Sequence, residues 1–228
     1  MKLLCADTAT RTESIALVDG DLVLAERAIY RAKGHGRGII DDIDHLLADA
    51  ELTLEDVEGF VCGLGPGSFT GLRIALATLK GLALAKQRPI YGVRTTRLLC
   101  AGIPVGRRVA VVDARRGQVY VEEDGVDAPT CCAPESLAGL LADGPPPILI
   151  GDGALAYRDL FMDALPKATI PESSVVHRPR AALLPGLVDL DAPAALATLE
   201  PIYVRPSDAE LNYPNGFPDL ANRYPGAS

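Results

Sequence analysis

No stretch of this 228-residue sequence approaches the ~18 uninterrupted apolar residues of a membrane span. The nearest, Ile74 to Ala85, is broken by Lys80. Nor does the start resemble a secretory signal, because Lys2 precedes only Leu3, Leu4, Cys5 and Ala6 before Asp7 interrupts, short of the ~7–15 apolar residues such a segment needs. The cysteines (Cys5, Cys62, Cys100, Cys131, Cys132) are odd in number and include no CxxC pair, so reduced thiols of a cytoplasmic chain are expected rather than a disulfide framework. Basic excess is lacking too. Lys and Arg number 22 against 30 Asp and Glu, a net charge of −8 that argues against an autonomous nucleic-acid binder. Proline is scarce early: before residue 103 only Pro66 and Pro89 occur, and the other 16 of 18 follow.

What is present is an ordinary globular composition, 48% hydrophobic and 23% charged, on a chain long enough to bury a large core unaided. The opening reads strand, turn, strand: Leu3–Ala6, turn chemistry at residues 7–10, Ser14–Val18, then Asp19-Gly20 as a hairpin signal before a third strand from Leu22. A helix follows with Ile39, Ile43, Leu46 and Ala50 on one face and Asp41, Asp42, Asp44, His45 and Asp49 opposite. Thr53 and Asp56 form a capping-box pattern, and Phe60-Val61-Cys62 is a short buried strand. The second half starts the same way. Val109-Ala110-Val111-Val112-Asp113 repeats four apolar residues and an aspartate, and Asp124-Gly125 repeats Asp19-Gly20. Ile148-Leu149-Ile150-Gly151 likewise echoes Phe60-Val61-Cys62-Gly63. A duplicated α/β lobe is therefore expected, with an N-terminal lobe at 1–102, a C-terminal lobe at 103–211 and a loop-like tail at 212–228.

Residues 63–73 read GLGPGSFTGLR between a strand and the most regular helix. No lysine follows a glycine as a P-loop requires, Ser68 stands where a dinucleotide fingerprint needs glycine, and Pro66 stands where a nucleophile elbow needs it. What remains is either an anion site made of turn amides or a tight packing corner capped by Ser68 or Thr70. The helix from about Phe69 to Gln87 is apolar over most of its circumference, with Arg73 and Lys80 as one polar stripe. Gly71, Ala75, Thr78, Leu82 and Ala85 form a 4-3-4-3 seam. A sheet covers one face only, so the second cover is the helix near Ile39, another chain, or the rest of its own domain.

Gly65-Pro66-Gly67-Ser68-Phe69-Thr70-Gly71-Leu72-Arg73 resembles the signature of the TsaB (YeaZ) family. Support comes from Leu4-Cys5-Ala6-Asp7-Thr8-Ala9, from Asp113–Tyr120 and from Pro201-Ile202-Tyr203-Val204-Arg205. The resemblance implies a two-lobed actin/hexokinase/Hsp70-like fold with duplicated βββαβα-type lobes. It implies a non-catalytic scaffold that supports TsaD in forming N6-threonylcarbamoyladenosine at position 37 of tRNAs, and a homodimer when alone. TsaE would join through the TsaB–TsaD pair, tRNA would be met only indirectly, and ATP and metal would belong to the partners. The catalyst's HxxxH pair has no counterpart, since the histidines are His35, His45 and His177.

The expected contact surface comprises Ile39, Ile43, Leu46, Gly71, Arg73, Ala75, Thr78, Leu79 and Leu82, burying on the order of 800 Å² per partner. Asp7, Thr8 and Asp113 stand where relatives of this fold place nucleotide-contacting groups, and are also ordinary hairpin-turn residues. In place of the family's His-Ser-Glu the chain has His35-Gly36-Arg37. A competing expectation is a stand-alone ATP-dependent phosphotransferase of the same fold, drawing on Asp7 and the turns at 63–67 and 151–153; a peptidase is the weakest reading, because Ser68 has no identifiable base.

Overall fold

A computed structural model describes residues 1–31 and 38–206, so His35-Gly36-Arg37 and the tail 212–228 lie outside the described residues. The first sheet is built from β1 (Lys2–Asp7), β2 (Thr12–Asp19), β3 (Leu22–Tyr30), β4 (Gly59–Gly63) and β5 (Ile90–Val93) in the order β3-β2-β1-β4-β5. β1 and β2 pair antiparallel with Asp7 opposite Ser14, while β1, β4 and β5 run parallel. The second sheet, β6 (Arg107–Arg115), β7 (Gln118–Glu123), β8 (Thr130–Cys132) and β9 (Pro147–Ile150), has the order β8-β7-β6-β9. It repeats the first sheet without a fifth strand: an antiparallel hairpin, a third antiparallel strand, and a parallel neighbour on the other side of the opening strand. This duplication is the actin/hexokinase/Hsp70-like architecture.

Alternation decides what covers each face. Leu4, Ala6, Ile15, Leu17 and Phe60 project to the side covered by α1 (Ile39–Asp49) and α2 (Phe69–Lys86). Leu3, Cys5, Ala16, Val18 and Val61 project to the other side, against Leu98 of α3 (Thr95–Ala101) and the turn Ala181–Leu187. In the second sheet, Val109, Val111, Val119 and Leu149 pack on α4 (Leu137–Leu140), α5 (Asp152–Ala156) and α6 (Arg158–Ala164). Its reverse side, Ala110, Val112 and Ala114, meets Leu99 and Cys100. Helix α3 thus lies between the sheets, giving Leu98 to one and Leu99 and Cys100 to the other.

The chain then turns back. Ala181 and Leu184 are buried on the first sheet, Ala194 N–H donates to Ile90 O at 2.9 Å, and Leu199 joins the core beneath α2. The stretch 181–202, expected within a C-terminal lobe, therefore packs on the first sheet. Its prolines break it into short turns that follow the surface of an existing layer rather than adding one.

Thr53 closes its capping box with Asp56, its N–H donating to Asp56 Oδ2 at 2.8 Å, around a single 3₁₀ turn at Leu54–Asp56. All five cysteines are free thiols. Burial pushes Cys100 up to about 12 and Cys5 and Cys62 higher still, as inert apolar fillers. Among the described residues no helix is long and apolar enough to cross a membrane.

Candidate functional site: the glycine corner and the open face of α2

The glycine segment between β4 and α2 wraps onto the β1–β2 turn. Ser68 caps α2, its Oγ accepting Gly71 N–H at 3.2 Å, and Ser68 N–H itself donates to Ala9 O at 2.6 Å. The approach is so close that a Cβ on Gly67 would sit 2.2 Å from Ala9 O. Thr8 Oγ1 donates to Gly71 O at 2.7 Å. Thr95 completes the corner. Its hydroxyl donates to Asp7 Oδ2 at 2.5 Å and accepts Gly65 N–H at 3.1 Å, while its own N–H donates to Gly65 O at 2.7 Å. Of the two alternatives for this segment, the geometry is that of the packing corner: the amides of Gly65, Ser68 and Gly71 are spent on Thr95, Ala9 and Ser68.

Asp7 and Thr8 are fully buried. The Asp7 carboxylate accepts Ala9 N–H at 2.9 Å as well as the Thr95 hydroxyl. Asp113, its counterpart on β6, is half-buried and accepts Arg115 N–H at 2.9 Å and Arg115 Nη1 at 2.8 Å. The Asp113 N–H donates to Asp152 Oδ1 at 3.0 Å. Desolvation holds the Asp152 carboxyl above its ordinary range. His177 is buried, with Nδ1 accepting Gly151 N–H at 3.1 Å and Nε2 donating to Pro171 O at 2.9 Å, so it serves as a structural link. His45 is exposed. Among the described residues no three His, Cys, Asp or Glu side chains gather as a metal site would require.

The expected contact residues divide into two sets. Ile39, Ile43, Leu46, Gly71, Ala75 and Leu79 are buried in the chain's own core and are not available to a partner. Thr78 and Leu82 are half-buried and Arg73 is exposed. The open face of α2 carries Phe69, Thr70, Arg73, Ala77, Gly81, Leu84 and Ala85, with Ile74 and Thr78 at its edge. This is the same 4-3-4-3 spacing displaced by about one residue. A helix without a true polar stripe has nothing in its sequence to fix that phase. Lys80, which looked polar, lies half-buried with Nζ donating to Leu199 O at 3.0 Å, its stem along apolar neighbours. Leu84, 69% exposed, is the residue sequence reasoning missed, and a large leucine in the 70-74-77-81-84 series was its available signal.

At the N-terminal end the open face becomes a shallow groove of about 480 Å³ lined by Phe69, Thr70, Arg73, Ile74, Ala77 and Thr78. The returning C-terminal segment meets this end of the helix through Tyr203. Arg73 lies 3.8 Å over the Phe69 ring and donates from Nε to Tyr203 Oη at 3.0 Å, with the two rings 5.1 Å apart. Ile202 N–H donates to Leu64 O at 2.8 Å, and Arg205 Nη1 reaches Gln118 Oε1 at 2.8 Å. The family-like stretch 201–205 therefore ties the glycine corner, α2 and the β6–β7 hairpin together.

A family model described as TsaD, tRNA N6-adenosine threonylcarbamoyltransferase, matches residues 24–129. The tRNA threonylcarbamoyladenosine biosynthesis protein TsaB of Bacillus subtilis is 29% identical over 227 residues, covering 93% of this chain and 98% of that one. An uncharacterized protein of Mycobacterium tuberculosis is 35% identical over 213 residues, with 91% and 93% covered. Among solved structures, YeaZ from Pseudomonas aeruginosa superposes with a TM-score of 0.73 at 25% identity, over 89% of this chain and all of that one.

Proposed function

The chain belongs to the TsaB (YeaZ) family, and from that premise we propose that it is a scaffold subunit for making N6-threonylcarbamoyladenosine in tRNA. In this reading it performs no chemistry itself. It docks TsaD through the open face of α2, and without TsaD the same face meets a second copy of the chain. TsaE joins through that pair, ATP and metal are held by the partners, and the work takes place in the cytoplasm.

The observation that carries the reading is the open face. Ala77, Gly81 and Ala85 leave the α2 backbone accessible, while Leu84, Phe69 and Ile74 supply apolar area. An exposed leucine beside small residues suits a helix that receives another backbone at close range, which gains both area and proximity. Exposed Ile40, at the start of α1, is the second helix's contribution to the contact. The occupied corner supports a scaffold over an enzyme: the Asp7 carboxylate receives Thr95 and Ala9, and the Ser68 hydroxyl caps α2 rather than facing a base.

The test is to mix the purified chain with TsaD from the same organism and measure co-elution and modification of tRNA. We expect a stable pair, with modification requiring both. Separate elution, or calorimetric titration showing that the chain alone binds ATP tightly, would instead favour the phosphotransferase reading.

A further inference from the structure

Helix α2 carries three cations, Arg73, Lys80 and Lys86, and two of them are engaged within the chain. Lys80 Nζ donates to Leu199 O, and Lys86 Nζ pairs with Glu55 Oε1. Arg73 is different. Its guanidinium rests on the Phe69 ring and its Nε donates to Tyr203 Oη, a neutral partner. Among the described residues no carboxylate pairs with it, and it is the one charged side chain on the open face. An apolar groove that holds a single unneutralised guanidinium fits an occupant that brings a carboxylate beside an apolar side chain.

Helix α1 carries that chemistry on its outward side, where Ile40, Asp41, Asp44, His45, Ala48 and Asp49 are exposed. Ile40, 61% exposed, stands one turn from Asp44, and the helix contains no Lys or Arg. Among the described residues Asp41 and Asp44 make no hydrogen bond or ion pair, whereas Asp42 is held by Arg31. The sheet brings the two features to one end of the molecule. β3 and β4 both run parallel to β1, so the chain leaves them in the same direction, and α1 and α2 start at the same end of the layer they share. A two-fold axis running between the helices, along their length, lays the start of α1 in one copy on the start of α2 in the other, twice over. Laying α1 on its own counterpart would instead face the acidic row with itself.

We propose that a second copy of this chain docks by seating Ile40 of its α1 in the Arg73 groove and pairing Asp41 and Asp44 with the Arg73 guanidinium, with the same contact made in return. The proposal rests on the docking reading above and deepens it, by assigning the residues that select the second copy and by pairing α1 with α2 rather than α2 with α2. Charge pairs at such a contact fix register and partner choice more than they add affinity. The guanidinium also matches a carboxylate two oxygens at a time.

The test is an exchange of charges, read by sedimentation equilibrium of the purified chain. Arg73→Glu faces the carboxylates of the other copy with its own sign, and Asp41→Lys/Asp44→Lys does the same to Arg73. Each variant alone should lose about tenfold or more in dimer affinity. Mixed one to one, the two variants should pair with each other at close to the unmodified strength, because both contacts of the mixed dimer regain opposite charges. All three positions are exposed, so each variant should melt within about 4 °C of the unmodified chain. If the lysine variant melts lower, Asp41→Asn/Asp44→Asn takes its place, with an expected loss of about threefold. The unmodified dimer should also weaken as salt is raised. Unchanged self-association in both variants, a mixture no tighter than its components, or an unmodified chain that stays monomeric would each overturn the proposal. Co-elution of the unmodified chain with TsaD would then leave the docking reading standing, and its absence would refute that reading as well.

Discussion

Gly81 separates the stability of α2 from its role as a surface. It lies in the interior of an 18-residue helix, is exposed, and a Cβ built there meets nothing within 4 Å. Replacing glycine by alanine in such a position removes unfolded-state freedom without adding a clash, worth about 1 kcal/mol. For a chain of this size that raises the melting temperature by about 2–4 °C. If the open face receives TsaD at close range, the added methyl group intrudes on the contact. Overpacking costs about 1–3 kcal/mol, or roughly 5- to 150-fold in Kd. Gly81→Ala should therefore melt higher by calorimetry yet bind TsaD more weakly by titration, and Gly81→Leu should weaken binding further. A lower melting temperature for Gly81→Ala would refute the exposed mid-helix assignment. Unchanged Kd for Gly81→Leu would refute the face.

Gly67→Ala should destabilise by several kcal/mol, because its Cβ would meet backbone rather than a movable side chain, Ala9 O at 2.2 Å; urea unfolding reads this, and an unchanged midpoint would contradict the packing corner. Asp152 gives a pH prediction. Its folded-state value is raised by desolvation. The stability it contributes is therefore fully present below the ordinary carboxylate range and lost as pH rises through the shifted value. Asp152→Asn, which keeps an acceptor for Asp113 N–H, should match the unmodified chain at pH 3.5 and exceed it at pH 7. The reverse order would show that the charged form is the stabilised one.

The repeated hairpins were legible because they are local: four apolar residues, an aspartate, a turn and Asp-Gly lie within the stretches 3–20 and 109–125, and period-2 burial follows from them. Both helices were legible for the same reason, and Gln87 ends α2 in the left-handed conformation at φ 53°. The facing of α2 was not. Two interleaved 4-3-4-3 series run along it, and only the sheet beneath decides which is buried. The return of 181–202 was equally hidden, since a proline-rich stretch has no period and its anchor, Ala194 to Ile90, spans distant parts of the chain. At the site, Ser68 was readable as a cap. Asp7 was not readable as a partner of Thr95, 88 residues away.

The central claim is that α2 docks TsaD through Ala77's side of the helix and not through Ala75's. Ala77 is exposed, and a glutamate there lies one turn from Arg73, so Ala77→Glu should fold with its melting temperature within about 2 °C of the unmodified chain. Ala75 is fully buried in the core under the sheet, so Ala75→Glu should fail to fold stably. The decisive measurement is titration of TsaD into folded Ala77→Glu. The account predicts loss of at least 100-fold in affinity, since a bulky charged side chain would be forced into a close apolar contact and desolvated there. Binding of the folded variant at the unmodified strength would contradict it.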